Sequence, residues 1–221
     1  MKRTGLLLLL FISFSTITHA RQYTTEKVKA GVYVTAGLNY AGAAGWENPA
    51  ESGAQRIAGF NTGLSFFALM GKNARTILNI EGYFSQQGFG NKEATSDDDI
   101  KKLYINYINV PVILKYRPIR SFQSFFVGAG PQIGFQVGGH GKTLGGEKFE
   151  LNQDAITKNV WSGVSVVGFN FDRVVNFGVE FSYQHSFSRF LETNPDLRHS
   201  VMQARLILPL DFVSDMLSAF Q

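Results

Sequence analysis

Residues 174–184 read VVNFGVEFSYQ, and apolar and polar residues alternate along them. Successive side chains of a β-strand point to opposite faces, so this period of two predicts a strand with one apolar and one polar face. The apolar face carries Val175, Phe177, Val179, Phe181 and Tyr183. The polar face carries Asn176, Gly178, Glu180, Ser182 and Gln184. Such a strand belongs in a sheet whose two faces meet different environments.

Eight runs of the chain have the composition of β-strands, because each is rich in β-branched and aromatic residues and is bounded by Gly, Pro, Asn or Asp. Most have about ten residues or more, the length that a tilted strand needs to cross a bilayer. In the sixth run, the residues between Trp161 and Phe171 do not sort into two faces. The predicted strands are 28–41, 58–70, 75–88, 103–117, 122–138, 155–171, 174–189 and 199–212.

The connections between these strands alternate between long and short. The long ones are polar and lie at 42–57, 89–102, 139–154 and 190–198, and the short ones lie at 71–74, 118–121 and 172–173. Outer-membrane barrels have short periplasmic turns and long external loops, with apolar side chains outside and polar ones inside. The sequence therefore predicts an all-β fold, an eight-stranded antiparallel up-and-down transmembrane β-barrel. Aromatic residues near strand ends, such as Tyr40, Tyr107 and Trp161, are expected in its interfacial girdles.

The first 20 residues have the pattern of a secretory signal peptide. Lys2 and Arg3 precede an apolar run at 6–14 and small residues at 18 and 20, the order found before a cleavage site. We therefore expect a protein of the outer membrane of a Gram-negative bacterium. The expected divisions are a cleaved signal peptide at 1–20, a barrel domain at 21–212 and a periplasmic tail at 213–221.

Composition excludes several classes of protein. The chain contains no Cys, which rules out a disulfide scaffold, a thiolate metal site and a lipid anchor on cysteine. Loss of Lys2 and Arg3 with the signal peptide lowers the formal net charge from +4 to +2, and the remaining Lys and Arg are scattered along the sequence. We therefore expect no nucleic-acid partner.

Several polar residues fall on the predicted inner face of the barrel. An unpaired charge in a narrow lumen costs on the order of several kcal/mol, so charged residues there are expected to pair. A structural network that fixes the strand register is expected from Glu81, Lys115, Glu180 and Arg205, with hydrogen bonds added by Asn109 and Gln132. A proton or ion path along the same residues is the functional alternative. A diffusion channel is disfavoured, because eight strands leave room only for side chains.

Histidine and serine residues near the end of the seventh predicted strand raise the question of catalysis. Residues 183–188 read YQHSFS and place His185 beside Ser186 and Ser188. A nucleophile and its base must lie about 3 Å apart. On a strand only residues i and i+2 share a face, so His185 faces away from both serines unless a bulge intervenes. The sequence therefore predicts no catalytic residue, no enzyme activity, and no metal or cofactor site.

Four stretches of the chain carry a family resemblance. They are 36–40 (AGLNY), 81–88 (EGYFSQQG), 107–116 (YINVPVILKY) and 127–134 (VGAGPQIG). Together they resemble the PorT-type outer-membrane β-barrel family of Bacteroidetes, over most of the chain from about Lys29 to Leu210. The resemblance implies an eight-stranded outer-membrane barrel, and the branch that gives the family its name is associated with protein secretion and maturation. The chain departs from barrels that end on an aromatic residue, because residues 213–221 follow Phe212.

The expected function is that of a non-enzymatic barrel that is structural or binds a partner. The resemblance implies a role as an accessory to protein secretion or envelope assembly. The expected partners are outer-membrane lipid, the barrel assembly machinery, and envelope or secretion proteins bound by the external loops. Two alternatives stay open: a lipid A-modifying hydrolase at the outer leaflet, and a periplasmic barrel that binds lipid in an apolar interior.

Overall fold

The structure is a computed structural model that describes residues 30–44, 54–70, 75–91, 94–119, 122, 124–151, 157–171, 177–188 and 198–210. Within these ranges the chain forms nine β-strands: β1 (Ala30–Ala44), β2 (Ala54–Met70), β3 (Thr76–Asn91), β4 (Ile100–Tyr116), β5 (Phe125–Thr143), β6 (Lys148–Glu150), β7 (Asn159–Asn170), β8 (Gly178–Ser186) and β9 (Arg198–Pro209). No helix in these ranges is long and apolar enough to span a membrane.

Eight of these strands form a closed ring. They pair in the order β4-β3-β2-β1-β9-β8-β7-β5, and pairing between β4 and β5 closes the ring. Every pair of neighbours is antiparallel, including β1 with β9, where Thr35 lies opposite Ile207. The prediction of an eight-stranded antiparallel up-and-down barrel is confirmed. The short β6 pairs with the last residues of β5, beyond the ring.

Side chains of β7 alternate between the interior and the outer surface, although their polarity does not. Trp161 and Val167 are exposed, and Val164 and Val166 between them are buried. These two valines share a hydrophobic cluster with side chains of β4 and β5. The predicted strand is present, and the weak sorting of its sequence reflects buried apolar residues on the inner face. Around Val164 and Val166 its inner face is apolar, because these side chains pack in that cluster, whereas the buried Ser162 on the same face accepts a hydrogen bond from Gln184.

The strands extend farther at the end of the barrel with the long connections, here called the external end, than the sequence predicted. β1 runs to Ala44, β3 to Asn91 and β5 to Thr143, each inside a segment expected to be a loop. Backbone pairing needs no apolar side chains, so polar and Gly-rich residues still form strands there. A Cβ at Gly141 would lie 2.0 Å from the ring of Phe149 on β6, so a larger residue there would displace this ring.

The opposite end, here called the periplasmic end, also differs from the prediction. β7 ends at Asn170 and β8 begins at Gly178, so this connection is longer than the two residues expected. The rings of Phe171 and Phe177 stack with their centroids 4.8 Å apart across its base. β9 ends at Pro209, which has no N–H to donate to a strand neighbour. The predicted signal peptide, the tail at 213–221, Val175 and Phe212 lie outside the described residues.

Candidate functional site

Four charged side chains meet inside the barrel, one each from β3, β4, β8 and β9. Arg205 donates from Nη1 to Glu81 Oε2 at 2.6 Å and from Nη2 to Glu180 Oε1. Lys115 donates from Nζ to Glu180 Oε2 at 2.6 Å and lies 3.7 Å from Glu81 Oε1. None of the four residues is more than 4% exposed. Two cations and two carboxylates therefore neutralise one another away from water.

Neutral side chains hold these charges in place. Asn79 donates from Nδ2 to Glu81 Oε1 at 2.6 Å. The guanidinium of Arg205 also lies over the ring of Tyr83, with Cζ 5.1 Å from the centroid. Tyr83 donates its hydroxyl to Gln132 Oε1 at 2.8 Å, so Gln132 is linked to the charges through this ring. Glu81, Lys115, Glu180, Arg205 and Gln132 thus form one connected set, here called the lumen network.

Asn109 lies beside the four charged side chains and does not contact them directly. It is buried on β4, but the structure gives it no hydrogen bond to the four charged side chains, and its Nδ2 has no hydrogen-bond partner among the described residues. It lies instead where Gly134 leaves space, because a Cβ at Gly134 would be 2.6 Å from Asn109 Oδ1. Asn109 is linked to the lumen network through a side-chain hydrogen bond with Tyr83, as Gln132 is, and not through the charged groups themselves.

A second polar cluster lies nearer the external end, and sequence analysis did not identify it. Asn39 and Gln87 each donate to the Ser85 hydroxyl oxygen at 2.9 Å. Gln87 Oε1 also lies 3.0 Å from Nδ1 of the buried His199. The available signal was the position of these polar residues on the inner faces of β1, β3 and β9. The described part of the lumen therefore holds this polar cluster in addition to the lumen network.

Apolar side chains fill much of the remaining lumen. Tyr107 was expected at the membrane interface, but it is 1% exposed and packs in a cluster with Leu103, Ile105 and Val160. Tyr107 points inward because it lies an even number of residues from Lys115 on β4, which puts both side chains on the inner face of the strand. A cavity of about 40 Å³ opens at the periplasmic end, lined in part by Lys115 and apolar side chains. The lumen is thus packed as a core.

The outer face of the barrel has the opposite character. Leu38 is 69% exposed, Trp161 56%, Phe181 53% and Leu206 50%. An exposed apolar belt around a polar interior reverses the arrangement of a water-soluble protein and is the one that surrounding lipid imposes. The polar interior also argues against a periplasmic barrel that carries lipid in an apolar lumen.

His185 and Ser186 lie on opposite faces of β8. Ser186 is fully buried, and its Oγ accepts a hydrogen bond at 2.8 Å from the backbone N–H of His199. His185 packs on the other face between the rings of Tyr183 and Phe187, with each centroid 6.4 Å away. In the part of the chain that is described, His185 makes no hydrogen bond to a serine hydroxyl, and no three His, Cys, Asp or Glu side chains are grouped to hold a metal.

A closed antiparallel ring with a packed polar interior and an apolar outer belt defines a small transmembrane β-barrel of the outer-membrane class. The chain belongs to the outer membrane protein beta-barrel domain family, whose model matches residues 21–192. The protein is accordingly one of the outer membrane of a Gram-negative bacterium.

Solved structures of two bacterial surface proteins are similar to this chain. Neisserial surface protein A (NspA) is 16% identical with a TM-score of 0.49, over 82% of this chain and 99% of that one. Ail, the attachment invasion locus protein of Yersinia pestis, is 14% identical with a TM-score of 0.43, over 82% and 98%. Ail in complex with the heparin analogue sucrose octasulfate gives 15% identity and a TM-score of 0.43, over 81% and 97%. No curated protein matches the chain.

Proposed function

We propose that the protein is a non-enzymatic outer-membrane barrel whose lumen is closed and whose external strand ends and loops bind a partner. The observation that carries this proposal is the lumen network. Paired charges from four strands, held by neutral side chains and flanked by apolar clusters, occupy the space that a channel or a substrate would need.

The external end supports a role in binding. The segment before β4 and the turn after β5 are joined by two backbone hydrogen bonds, from Leu144 N to Asp99 O at 2.9 Å and from Gly145 N to Asp97 O at 3.0 Å. Two neighbouring connections are therefore held together above the barrel. A surface that is ordered before binding loses less conformational entropy when a partner arrives.

A narrower proposal is that the partner belongs to protein secretion or envelope assembly. It is supported by the four stretches that resemble PorT-type barrels, each of which contributes a residue to the interior: Asn39, Glu81, Tyr107 and Gln132. These stretches lie on the barrel strands, so they support the scaffold more directly than the partner. The external end must therefore be tested by itself.

The test uses a strain that lacks the protein and is complemented with three versions of it. One is the wild type, one has residues 94–99 and 144–147 replaced by short Gly-Ser turns, and the control has Pro118 and Ile119 replaced by Ser at the periplasmic end. We expect the wild type and the control to restore the normal set of secreted and surface proteins. The variant with shortened external turns should fold, as shown by its heat-dependent gel shift, but should not restore them. Full restoration by that variant would contradict the proposal.

The non-enzymatic part has a separate test. His185→Ala should leave the acylation pattern of lipid A unchanged when lipid from the complemented strain is analysed by mass spectrometry. A changed pattern would instead favour the lipid A-modifying hydrolase.

A further inference from the structure

Three lysines lie side by side on the outer face of the barrel at its external end. Lys102 of β4 is directly opposite Lys142 of β5, and Lys142 is directly opposite Lys148 of β6. Directly opposed residues of an antiparallel pair share a face, with Cβ atoms about 4.5–5.5 Å apart. All three are exposed. The expectation of scattered cations was therefore wrong at this point, because only the pairing register brings these lysines into one row, here called the lysine row.

The lysine row has no carboxylate partner within the described ranges. No Asp or Glu oxygen there lies within 4.0 Å of any of its Nζ atoms. The acid nearest in sequence to Lys102 is Asp99, and its Oδ2 accepts instead from the N–H groups of Thr95 and Ser96, both at 2.9 Å. Like charges placed directly opposite each other destabilise a sheet. Glu150 lies two residues from Lys148 on the same face of β6, opposite His140, without an ion pair to the row. An anion from outside the chain would supply the contact that the three ammonium groups lack.

The height of the lysine row above the apolar belt indicates what kind of external anion could bind to it. On β5 the belt reaches Val137, which is 51% exposed. Between Val137 and the lysine row, the rings of Tyr104 and His140 stack at 5.0 Å. With about 3.3 Å per residue and a strand tilt of about 40°, the row lies roughly 10 Å above the end of the belt. This order matches the one expected on passing from hydrocarbon to anionic headgroups, in which apolar side chains come first, aromatic rings second and cations last.

We propose that the lysine row binds the phosphate groups of lipid headgroups in the outer leaflet, and so holds the extended β5–β6 hairpin against the membrane surface. This site goes beyond the partner-binding role proposed above. Each ammonium group offers three N–H donors on a flexible stem, which suits phosphates at slightly different depths. The binding is electrostatic, so it weakens as ionic strength rises.

Binding is measured by native mass spectrometry of the folded barrel in detergent with bisphosphorylated or dephosphorylated lipid A. The test variant is K102Q/K142Q/K148Q. The matched control is K101Q/K158Q/R198Q, which removes the same charge from exposed cations outside the row. We expect the row variant to bind the phosphorylated lipid at least tenfold more weakly, with the control within about twofold of wild type. For the dephosphorylated lipid, the wild type and the row variant should have the same affinity.

Several outcomes would overturn the proposal: equal binding by the row variant, equal binding of both lipids by the wild type, or displacement of the lipid by an equimolar amount of inorganic phosphate. Preferential capture of an acidic polysaccharide over lipid A would do the same. Misfolding is excluded with K102R/K142R/K148R, which should keep the binding. In lipid-free detergent the glutamine variant should be as heat-stable as wild type or more so, because repulsion along the row has been removed.

Discussion

Arg205 of β9 reaches across the lumen to Glu81 of β3, with Nη1 2.6 Å from Oε2, although β1 and β2 separate these strands in the ring. Lys115 of β4 makes a second crossing to Glu180 of β8, also at 2.6 Å. Backbone pairing joins each strand only to its neighbours. The two ion pairs join walls that do not touch, and they thereby fix the cross-section of the barrel.

The first prediction concerns the carboxylate shared by both cations. Glu180→Gln leaves Lys115 and Arg205 buried with a single carboxylate between them, and breaking a buried pair costs about 3–5 kcal/mol. The free energy of unfolding, measured by urea titration of the barrel in lipid vesicles, should fall by that amount. Glu147→Gln, at an exposed acid outside the lumen, is the control and should change it by less than about 0.5 kcal/mol. Equal stability of the two variants would show that the ion pairs are not structural.

The second prediction concerns the coupling between Lys115 and Glu180. Once either partner is lost, removal of the other should cost less, because it no longer leaves an unpaired charge. In a double-mutant cycle of Lys115→Met and Glu180→Gln, the double variant should lose about 1–3 kcal/mol less stability than the two single variants lose together. A cycle of Lys101→Met with Glu180→Gln should show no coupling, since Lys101 is exposed at the external end. Additive losses in the first cycle would count against the contact.

The third prediction concerns the closure of the ring between β4 and β5. A Cβ at Gly130 would lie 1.9 Å from the carbonyl oxygen of Val112, which is backbone and cannot rotate away. Gly130→Ala should therefore push the two strands apart and lower the fraction of protein that folds into vesicles, as read from the heat-dependent gel shift. Gly82→Ala is the matched control, because nothing lies within 4 Å of a Cβ there. If both variants fold equally well, close approach at Gly130 is not needed.

The fourth prediction concerns pH and the turn before β4. The backbone N–H groups of Ser96 and Thr95 hold the pKa of the Asp99 carboxyl below its usual range. Because the folded pKa is depressed, the stabilisation of the turn is present above the ordinary value of about 3.9 and is lost as pH falls through the folded value. The exchange protection of the Ser96 amide should therefore be constant from neutral pH to about pH 5 and should fall in stronger acid.

Two substitutions separate this effect from general acid sensitivity. Asp99→Asn should lower the protection of Ser96 at every pH, whereas Asp98→Asn should leave it as in wild type. Neither should change the stability of the barrel, because the turn lies outside the ring. Protection that is unaffected by Asp99→Asn would refute the role of this carboxylate.

The sequence predicted the ring and most inward residues because a period of two reports which way a side chain points. It could not predict that part of the inner face of β7 is apolar, since polarity was the only guide to direction and Val164 and Val166 face a hydrophobic cluster. The alternation along each strand identified four buried charged residues. It could not show which of them pair, because Arg205 and Glu81 meet only through the curvature of the barrel. The lysine row needed the register itself, which brings Lys102 and Lys148 to one level.

The pairing of β1 with β9 has a consequence for how the protein is made. Tyr33 pairs with Pro209 and Ala44 with Arg198, so the first strand finds one of its two neighbours only when the last strand has emerged. Until then β1 presents a long unpaired edge that is open to other chains. Contacts so distant in sequence also form slowly. The chain must therefore be kept from self-association throughout its export, and the final closing step is expected to limit the rate of assembly.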